Sequence, residues 1–222
     1  MMDSAITLCP TSAKAWGNKS MIYLMRGDVA TWYQHTQKAV QFNALYYLGN
    51  RAWHRLRYLR DYDGAWRDLQ KQDSIAGFRG VYVADVHGYI LMGQCKEGMG
   101  DQIAALEYYN RALEKQMKER GEKWVGTYDY LIRGILKYKM NDLEGAITDL
   151  DEQEKSYEQL ADTYYYRGLV LKKMNQPNLA RIDFEKAKML LIGQGFKRWD
   201  SQVNLVDEIY LSDVDAALTS LN

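Results

Sequence analysis

The sequence predicts an all-α fold, a right-handed superhelical solenoid of about five helical hairpins that ends in a capping helix. The first observation is a repeat: segment 130–146 returns 34 residues later as 164–180, with its Tyr, Gly, Lys-Met-Asn and Ala in place. A fixed period of this length is the sequence signature of a repeat array. The second observation is composition, because two prolines and 47% hydrophobic residues in 222 suit a nearly all-helical chain with an ample core.

Each copy of the repeat is typical of a helix, a tight turn and a second helix. Small side chains are needed where the two helices cross closely, and an aromatic ring fills the gap between neighbouring hairpins. The residues of the last copy that take these places are Tyr164, Gly168, Ala180, Phe184 and Ala187. They resemble the tetratricopeptide repeat, whose pattern they match in full.

On this resemblance we expect one domain over residues 1–222, with a partial repeat at 1–12, repeats that start near residues 13, 46, 86, 127 and 161, and a cap at about 196–222. The third repeat matches the pattern throughout, and the fourth departs only at Gln153, where Ala is usual. The first two match less well, because Trp32 stands where the first repeat should have Ala and Trp53 occupies the small position of the second.

Both ends of the chain depart from the repeat. Pro10 stands where the resemblance places the Pro that ends a unit, so we expect the first complete hairpin to begin near Ala13. The apolar edge left in front of it invites either a further repeat upstream or self-association into a homo-oligomer. After residues 193–195 we expect a final amphipathic helix, about Asn204–Leu221, that caps the last hairpin.

Charge and hydropathy limit the classes of partner. The chain has 29 basic and 29 acidic residues, and this balance argues against a nucleic-acid groove, because affinity for phosphate backbones comes from clustered Lys and Arg. No apolar run approaches the roughly 20 residues of a membrane span. We therefore expect a protein or peptide partner, no nucleic acid, no membrane and a cytoplasmic location.

Few residues offer catalytic chemistry. The three histidines come from different hairpins and lack a Cys, His or carboxylate at a metal-ligand spacing. The glycines at 98 and 100 are typical of a turn between helices rather than of a phosphate-binding loop. Cys9 and Cys95 are interpreted as small buried hydrophobes. We expect no enzyme, no cofactor and no metal.

An arginine recurs at the same point of the last two repeats. Arg133 is followed 16 residues later by Asp149, and Arg167 by Asp183, whereas the third repeat lacks both charges. Because the two positions change together, we predict an ion pair within each hairpin. The alternative is a catalytic Arg.

The resemblance also implies a concave surface, lined by the first helix of each hairpin, that receives an extended peptide or a partner helix. Its lining is rich in Tyr, Met and Leu, which are typical of adaptable protein-binding surfaces, although each Tyr has packing between hairpins as an alternative. The expected peptide-binding residues are Met21, Met25, Asn50, His54, Arg57, Tyr58, Ile90, Gln94, Tyr128, Leu131, Ile135, Tyr138, Tyr165 and Leu169. The same groove positions of the last two repeats also include Lys139, Asp162 and Lys172.

From these expectations we predict that the chain is a noncatalytic scaffold for protein–protein interaction that holds a peptide or a partner helix in its concave groove. One alternative is a helical repeat that binds single-stranded nucleic acid, which the zero net charge and the aromatic rather than basic lining disfavour. The other is an enzyme accessory subunit, which a bound metal or a measured activity would support.

Overall fold

The computed structural model of the chain describes residues 2–121, 124–193, 195–198 and 206–221. Within these ranges twelve α-helices form and no β-strand does, and the β-type pairs are two isolated bridges, Val83–Val86 and Leu160–Phe196. The prediction of an all-α fold made of helical hairpins is confirmed. The helices group into two compact units, Met1–Asp101 and Gln102–Asn222.

The first unit contains six helices, and short polar side chains set where several of them begin. Ser12, Asp28 and Asp61 each accept a hydrogen bond from the backbone N–H three residues further on, at 3.3, 3.0 and 2.9 Å. Each bond satisfies a donor that the start of a helix leaves open. Helix α2 packs on α3, and α5 packs on both α4 and α6. The bounds are α1 Met2–Leu8, α2 Ala13–Met25, α3 Val29–Phe42, α4 Ala44–His54, α5 Tyr62–Ile75 and α6 Gly88–Gly98.

The first helix of the second hairpin ends in an irregular turn. Helix α4 continues as a π-helical turn, Arg55–Leu59, which Arg60 closes in the left-handed region at φ 53°. A π-helical turn takes in one residue more than an α-helical turn, so the residues before it are out of step by one with those after it. The buried small residue of α4 is accordingly Ala52, at 1% exposure, and the prediction that Trp53 fills this position is wrong.

The second unit also contains six helices. Helix α8 packs on α9, α10 on α9 and α11, and α11 on α12. Asp142 caps α9 by accepting a hydrogen bond from the N–H of Gly145 at 3.0 Å, and Pro177 begins α11, where a missing N–H is tolerated. The bounds are α7 Gln102–Arg120, α8 Asp129–Lys139, α9 Leu143–Ser156, α10 Ala161–Lys173, α11 Pro177–Ile192 and α12 Leu211–Thr219.

Small residues let the helices of the second unit approach closely. A methyl group at Gly168 would stand 2.5 Å from the ring of Phe184, and one at Gly134 would stand 3.2 Å from Leu150. Both distances are too short for an unstrained carbon contact, so a larger residue would push the helices apart. The recurring glycines therefore mark the helix crossings, as the sequence indicates.

Helix α12 begins later than the sequence predicts. Of the expected helix over Asn204–Leu221, residues 206–210 are not helical, and Asn204 and Leu205 lie outside the described residues. The start is fixed by Asp213, whose carboxylate accepts a hydrogen bond from the N–H of Tyr210 at 2.7 Å. Helix α12 packs on α11 and so covers the last hairpin of the second unit.

The two predicted Arg–Asp pairs form. Arg133 donates two hydrogen bonds to Asp149, at 2.8 and 2.6 Å, and Arg167 donates two to Asp183, at 2.8 and 2.9 Å. This parallel, two-bond geometry is the strongest that a guanidinium makes with a carboxylate. Because each Arg is held by a carboxylate of its own hairpin, the structural interpretation of these residues is confirmed.

A third pair of the same kind lies in the first unit. Arg51 donates two hydrogen bonds to Asp68, at 2.7 and 2.5 Å, and both side chains are buried. Its members are 17 rather than 16 residues apart. The extra residue of the π-helical turn between them accounts for the difference. Because the spacing differs from that of the other two pairs, a search for the 16-residue spacing does not find this pair.

Candidate binding surfaces

Cysteines and clusters of possible metal ligands are the places where a reactive site could form. Cys95 is buried as expected, and burial raises the pKa of its thiol to about 12, so the thiol stays protonated at neutral pH. Cys9 is exposed, so the expectation of two buried cysteines is wrong for Cys9, which lies in the short turn before α2. In the described ranges, no group of three or more His, Cys, Asp or Glu is placed to hold a metal ion. None of the helices there is both long and apolar enough to cross a bilayer.

In the first unit the expected groove residues differ widely in burial. Met25 is exposed. The half-buried ones are Met21, Asn50, Arg57, Tyr58 and Gln94. His54 and Ile90 are only 6% and 0% exposed, so their assignment to an open surface is wrong. Ile90 belongs to α6, seven of whose eleven residues are buried, and His54 faces the interior beside α3.

His54 is a core histidine. Its ring meets that of Trp32 edge-on at 6.4 Å and that of Tyr58 at 5.9 Å, measured between centroids. Burial lowers the pKa of His54 to about 4, because the charged form would lose its hydration. The Nδ1 atom has no hydrogen-bond partner among the described residues. A neutral, packed imidazole of this kind contributes to the core rather than to ligand binding at neutral pH.

A cleft opens in the first unit between α4 and the chain that follows α5. Its volume is about 400 Å³, within the range of small-ligand and peptide-binding pockets. Of the expected groove residues, only Asn50 lines it. The lining residues are Asn43, Leu45, Tyr46, Asn50, Trp53, Gln72, Val81, Tyr82, Val83 and Ala84.

Hydrogen bonds hold the wall of the cleft formed by residues 81–84. The N–H of Gly80 donates to Asp73 at 2.7 Å, which returns the chain toward the end of α5. Backbone bonds between Val83 and Val86, at 2.9 and 3.0 Å, close a tight turn. Gln72 donates to the carbonyl of Leu45 at 2.8 Å and joins α5 to the start of α4. The cleft is therefore preformed, which lowers the entropy cost of binding.

The lining of the cleft combines aromatic rings with an available amide. Tyr46 is 61% exposed, Tyr82 and Leu45 are also exposed, and Trp53 is half-buried. The side-chain amide of Asn50 makes no hydrogen bond to any described residue, and it can both donate to and accept from a peptide backbone. None of the lining residues is ionisable except the two tyrosines, so the cleft suits apolar side chains and neutral amides.

Most of this cleft lies outside the positions that the repeat pattern assigns to a groove. The repeat pattern, applied without the extra residue of the π-helical turn, was out of step by one residue in α4, so it selected His54 instead of Trp53 and passed over Tyr46. The available signal was Trp53 itself, a large residue at a position where the pattern requires a small one. Such a departure indicates a register change that moves the neighbouring residue, Ala52, into the core.

In the second unit the expected groove residues are buried or half-buried. Leu131 and Ile135 are buried, so their assignment to an open surface is wrong, and Tyr128, Tyr138, Tyr165 and Leu169 are half-buried. Residues 206–221, which we call the closing segment, also pack into the core of this unit. Its Ile209, Val214 and Ala217 belong to the same core cluster as Leu131 and Ile135.

Polar contacts join the closing segment to the first helices of the unit. Lys139, at the end of α8, forms an ion pair with Asp207 at 2.8 Å. Lys172, near the end of α10, donates to the hydroxyl of Ser220 at 2.6 Å. Lys139 and Lys172 both occupy positions that the repeat pattern assigns to the groove. The closing segment therefore lies where a bound peptide was expected.

Residues 195–198 approach the start of α10. The N–H of Arg198 donates to Asp162 at 2.7 Å, and the N–H of Ala161 donates to the carbonyl of Phe196 at 2.7 Å. Asp162 is fully buried, and burial raises the pKa of its carboxyl to about 6, although the Arg198 N–H and charge oppose the rise. Asp162, a third groove position, is thus also covered by a later part of the chain.

Comparison with known proteins gives one match at the level of sequence families. The family model of the tetratricopeptide repeat matches residues 86–114. No curated protein sequence matches the chain. The matched segment is the repeat that follows the expected pattern throughout.

Solved structures match over most of the chain. The type IV pilus biogenesis factor PilW has a TM-score of 0.68 at 15% identity, over 84% of this chain and 81% of its own. PilF of Pseudomonas aeruginosa has a TM-score of 0.66 at 16% identity, over 86% of this chain and 82% of its own. YrrB, described as a TPR protein with an unusual peptide-binding site, has a TM-score of 0.59 at 16% identity, over 85% of this chain and 91% of its own. At these identities the similarity shows a shared fold.

Proposed function

We propose that this chain, which has the tetratricopeptide repeat fold and carries a repeat of that family at residues 86–114, is a noncatalytic scaffold that binds another polypeptide. The observation that carries the proposal is the open cleft of the first unit, with Tyr46, Trp53 and Tyr82 in its lining. Exposed aromatic rings on a preformed surface are the commonest anchors of protein–protein interfaces.

The chemistry of the cleft favours an extended, largely apolar peptide segment. Tyr and Trp rings offer large contact areas at a low cost in side-chain entropy, and a peptide side chain can pack between those of Tyr46 and Tyr82. The amide of Asn50 supplies a donor and an acceptor for the peptide backbone. Single-stranded nucleic acid also stacks on aromatic rings, but the cleft lining lacks the Lys and Arg that attract its phosphates.

The first experiment identifies the bound polypeptide in place. A photoreactive benzoylphenylalanine replaces Tyr46 or Tyr82 in the full chain, and illumination in the source cells joins it to whatever occupies the cleft. The matched control carries the same group in place of Tyr33, an exposed tyrosine of α3 that does not line the cleft. We expect a discrete crosslinked polypeptide from the two cleft positions and none from position 33.

The second experiment measures affinity for that polypeptide. Central aromatic anchors cost about 2 kcal/mol or more when truncated, which corresponds to roughly a 30-fold rise in Kd. We expect this loss for Tyr46→Ala and Tyr82→Ala and no change for Tyr33→Ala, with all three variants folded by circular dichroism. Equal affinity of the cleft variants and the control would exclude the cleft. Salt-dependent binding of single-stranded RNA, lost in Tyr46→Ala, would favour the nucleic-acid alternative.

A further inference from the structure

We propose that the surface of α8 and α10 is a second binding site, which the closing segment occupies in cis and which an acidic, apolar segment of a partner opens by competing for the same contacts. The proposal concerns the second unit alone and does not depend on the cleft. Its basis is that Lys139 and Lys172, two groove positions, already hold a segment of polypeptide there.

The closing segment has the composition of a ligand for a basic surface. Residues 206–221 contain four acidic residues and no Lys, Arg or His. Three lysines of the helices around it bind it: Lys139 pairs with Asp207, Lys172 with Ser220, and Lys188 of α11 with Asp215 at 2.7 Å. A competing segment needs the same distribution of negative charge. Positive charges at these positions would be repelled by the lysines.

Apolar contacts give the segment its anchors. Ile209 and Val214 are buried, and they share a core cluster with Leu131 and Ile135 of α8. Without a cover, the aliphatic side chains of α8 would form an exposed patch of the kind that marks an interaction site. A competing segment must therefore carry aliphatic residues with a spacing like that of positions 209 and 214.

The closing segment is held more weakly than the helices beneath it. Helix α12 has nine residues, two of them buried, whereas α10 has thirteen residues and seven buried ones. A helix this short is marginal without its packing partner. The ion pairs of Asp207 and Asp215 are partly exposed, so salt screens them. Elements with few buried contacts open at low free energy, and such elements are the ones displaced in binding.

The experiment uses the full chain and a fluorescein-labelled synthetic peptide with the sequence of residues 206–221, followed by fluorescence anisotropy. In the unmodified chain the tethered segment competes at an effective concentration on the order of millimolar, so we expect weak binding of the peptide. Ile209→Ala in the chain weakens the binding of the tethered segment to α8 and α10, whereas the free peptide keeps its isoleucine and its full affinity. We expect at least tenfold tighter peptide binding to this variant.

Two controls accompany this measurement. Ile182→Ala removes the same atoms from an exposed site on α11 that is outside the cluster, and it should leave peptide affinity unchanged. A peptide in which the four acidic residues are replaced by Lys should not bind any variant. Binding of the charge-reversed peptide as tightly as the original would overturn the proposed chemistry.

A milder variant covers the case in which Ile209→Ala does not fold. Asp207→Asn removes one ion pair and leaves the apolar contacts, so it should tighten peptide binding several-fold, and adding Lys139→Gln should cancel the gain. The same peptide affinity in the unmodified chain and in both weakened variants overturns the proposal. So does a dimer that appears in multi-angle light scattering without any gain in peptide binding, because a second copy would then be the occupant.

Discussion

Each of the three paired arginines contacts two neighbouring hairpins at once. Besides the Asp of its own hairpin, each guanidinium donates to a side chain on the preceding second helix, and these acceptors all lie 24 residues after the starts of their repeats at 13, 86 and 127. The contacts are Arg51 with Gln37, Arg133 with Asn110 and Arg167 with Asp151. The five donors of a guanidinium can serve both directions, so one residue fixes the register of two helix pairs.

Two of these arginines should differ in how much stability they provide. Asp149, the partner of Arg133, also has Lys137 at 2.9 Å, whereas Arg167 neutralises Asp183 together with Asp151 and Glu154. Removing one partner of a buried ion pair costs about 3–5 kcal/mol, because a charge stays behind without compensation. We expect Arg167→Ala to lose an amount in this range and Arg133→Ala to lose less.

Urea unfolding followed by circular dichroism measures the difference. The two variants are matched controls for each other, because both remove an Arg from the same position of a repeat. An equal loss, or a larger one for Arg133→Ala, would show that Lys137 does not compensate Asp149.

At the scale of single elements, the π-helical turn Arg55–Leu59 is the feature that sets the second hairpin apart. It places one extra residue between Arg51 and Asp68, yet the pair keeps the geometry seen in the other hairpins. Deleting Arg57 from the turn should convert it to an α-helical turn with the 16-residue spacing of the other two pairs. We expect the variant to stay folded, with a melting temperature lower by a few degrees.

The comparison for this prediction is a deletion inside a regular helix. Arg67 is an exposed residue of α5, and its deletion would turn the residues after it by about 100°, which moves Asp68 and Leu69 out of the core. We expect this variant to lose most of its helical signal in circular dichroism. Equal tolerance of the two deletions would mean that the turn does not act as an insertion.

The hairpins could be predicted from sequence because their determinants are local. Gly168 and Phe184 meet within one repeat, and the same spacing recurs at Gly134 and Leu150. The π-helical turn has no residue signature of its own, so the register of α4 was missed by one. Leu131 shares its core cluster with Ile209 and Val214, about 80 positions later in the chain, and no repeat pattern contains that information.

At the scale of the whole molecule, the described residues form an open cleft in the first unit and a covered helix surface in the second. The first unit has a preformed cleft with neutral, aromatic lining, and in the second unit the acidic closing segment contacts α8, α10 and α11. The two surfaces differ in chemistry, because the cleft lining is neutral whereas the helices of the second unit present lysines to an acidic segment.

The two units should also respond to acid in opposite directions. The pKa of His54 in the first unit is lowered to about 4 by burial, below its ordinary 6.5, so the unfolded state binds the proton more readily. The stability that its neutral form provides is complete above pH 6.5 and is lost as the pH falls toward 4. Between pH 7 and pH 5 this loss amounts to about 2 kcal/mol.

The contribution of Asp162, in the second unit, to stability changes with pH in the opposite direction. Burial raises the pKa of its carboxyl from 3.8 to about 6, so the folded state binds the proton more readily, and the cost of the buried charge disappears as the pH falls. Burial also raises the pKa of Asp129 in the same unit. Between pH 7 and pH 5 the gain from Asp162 amounts to about 1 kcal/mol, and carboxylates with lowered pKa values stay ionised in this range.

Hydrogen exchange followed by mass spectrometry, corrected for the intrinsic effect of pH on exchange rates, measures the change in stability of both units in one sample. Between pH 7 and pH 5 we expect amide protection to fall in α4 and to rise in α10. His54→Gln should abolish the change in α4 alone, and Asp162→Asn should abolish the change in α10 alone, because neither replacement titrates in this range. Protection that moves in the same direction in both helices, or that persists in the two variants, would assign the response to other groups.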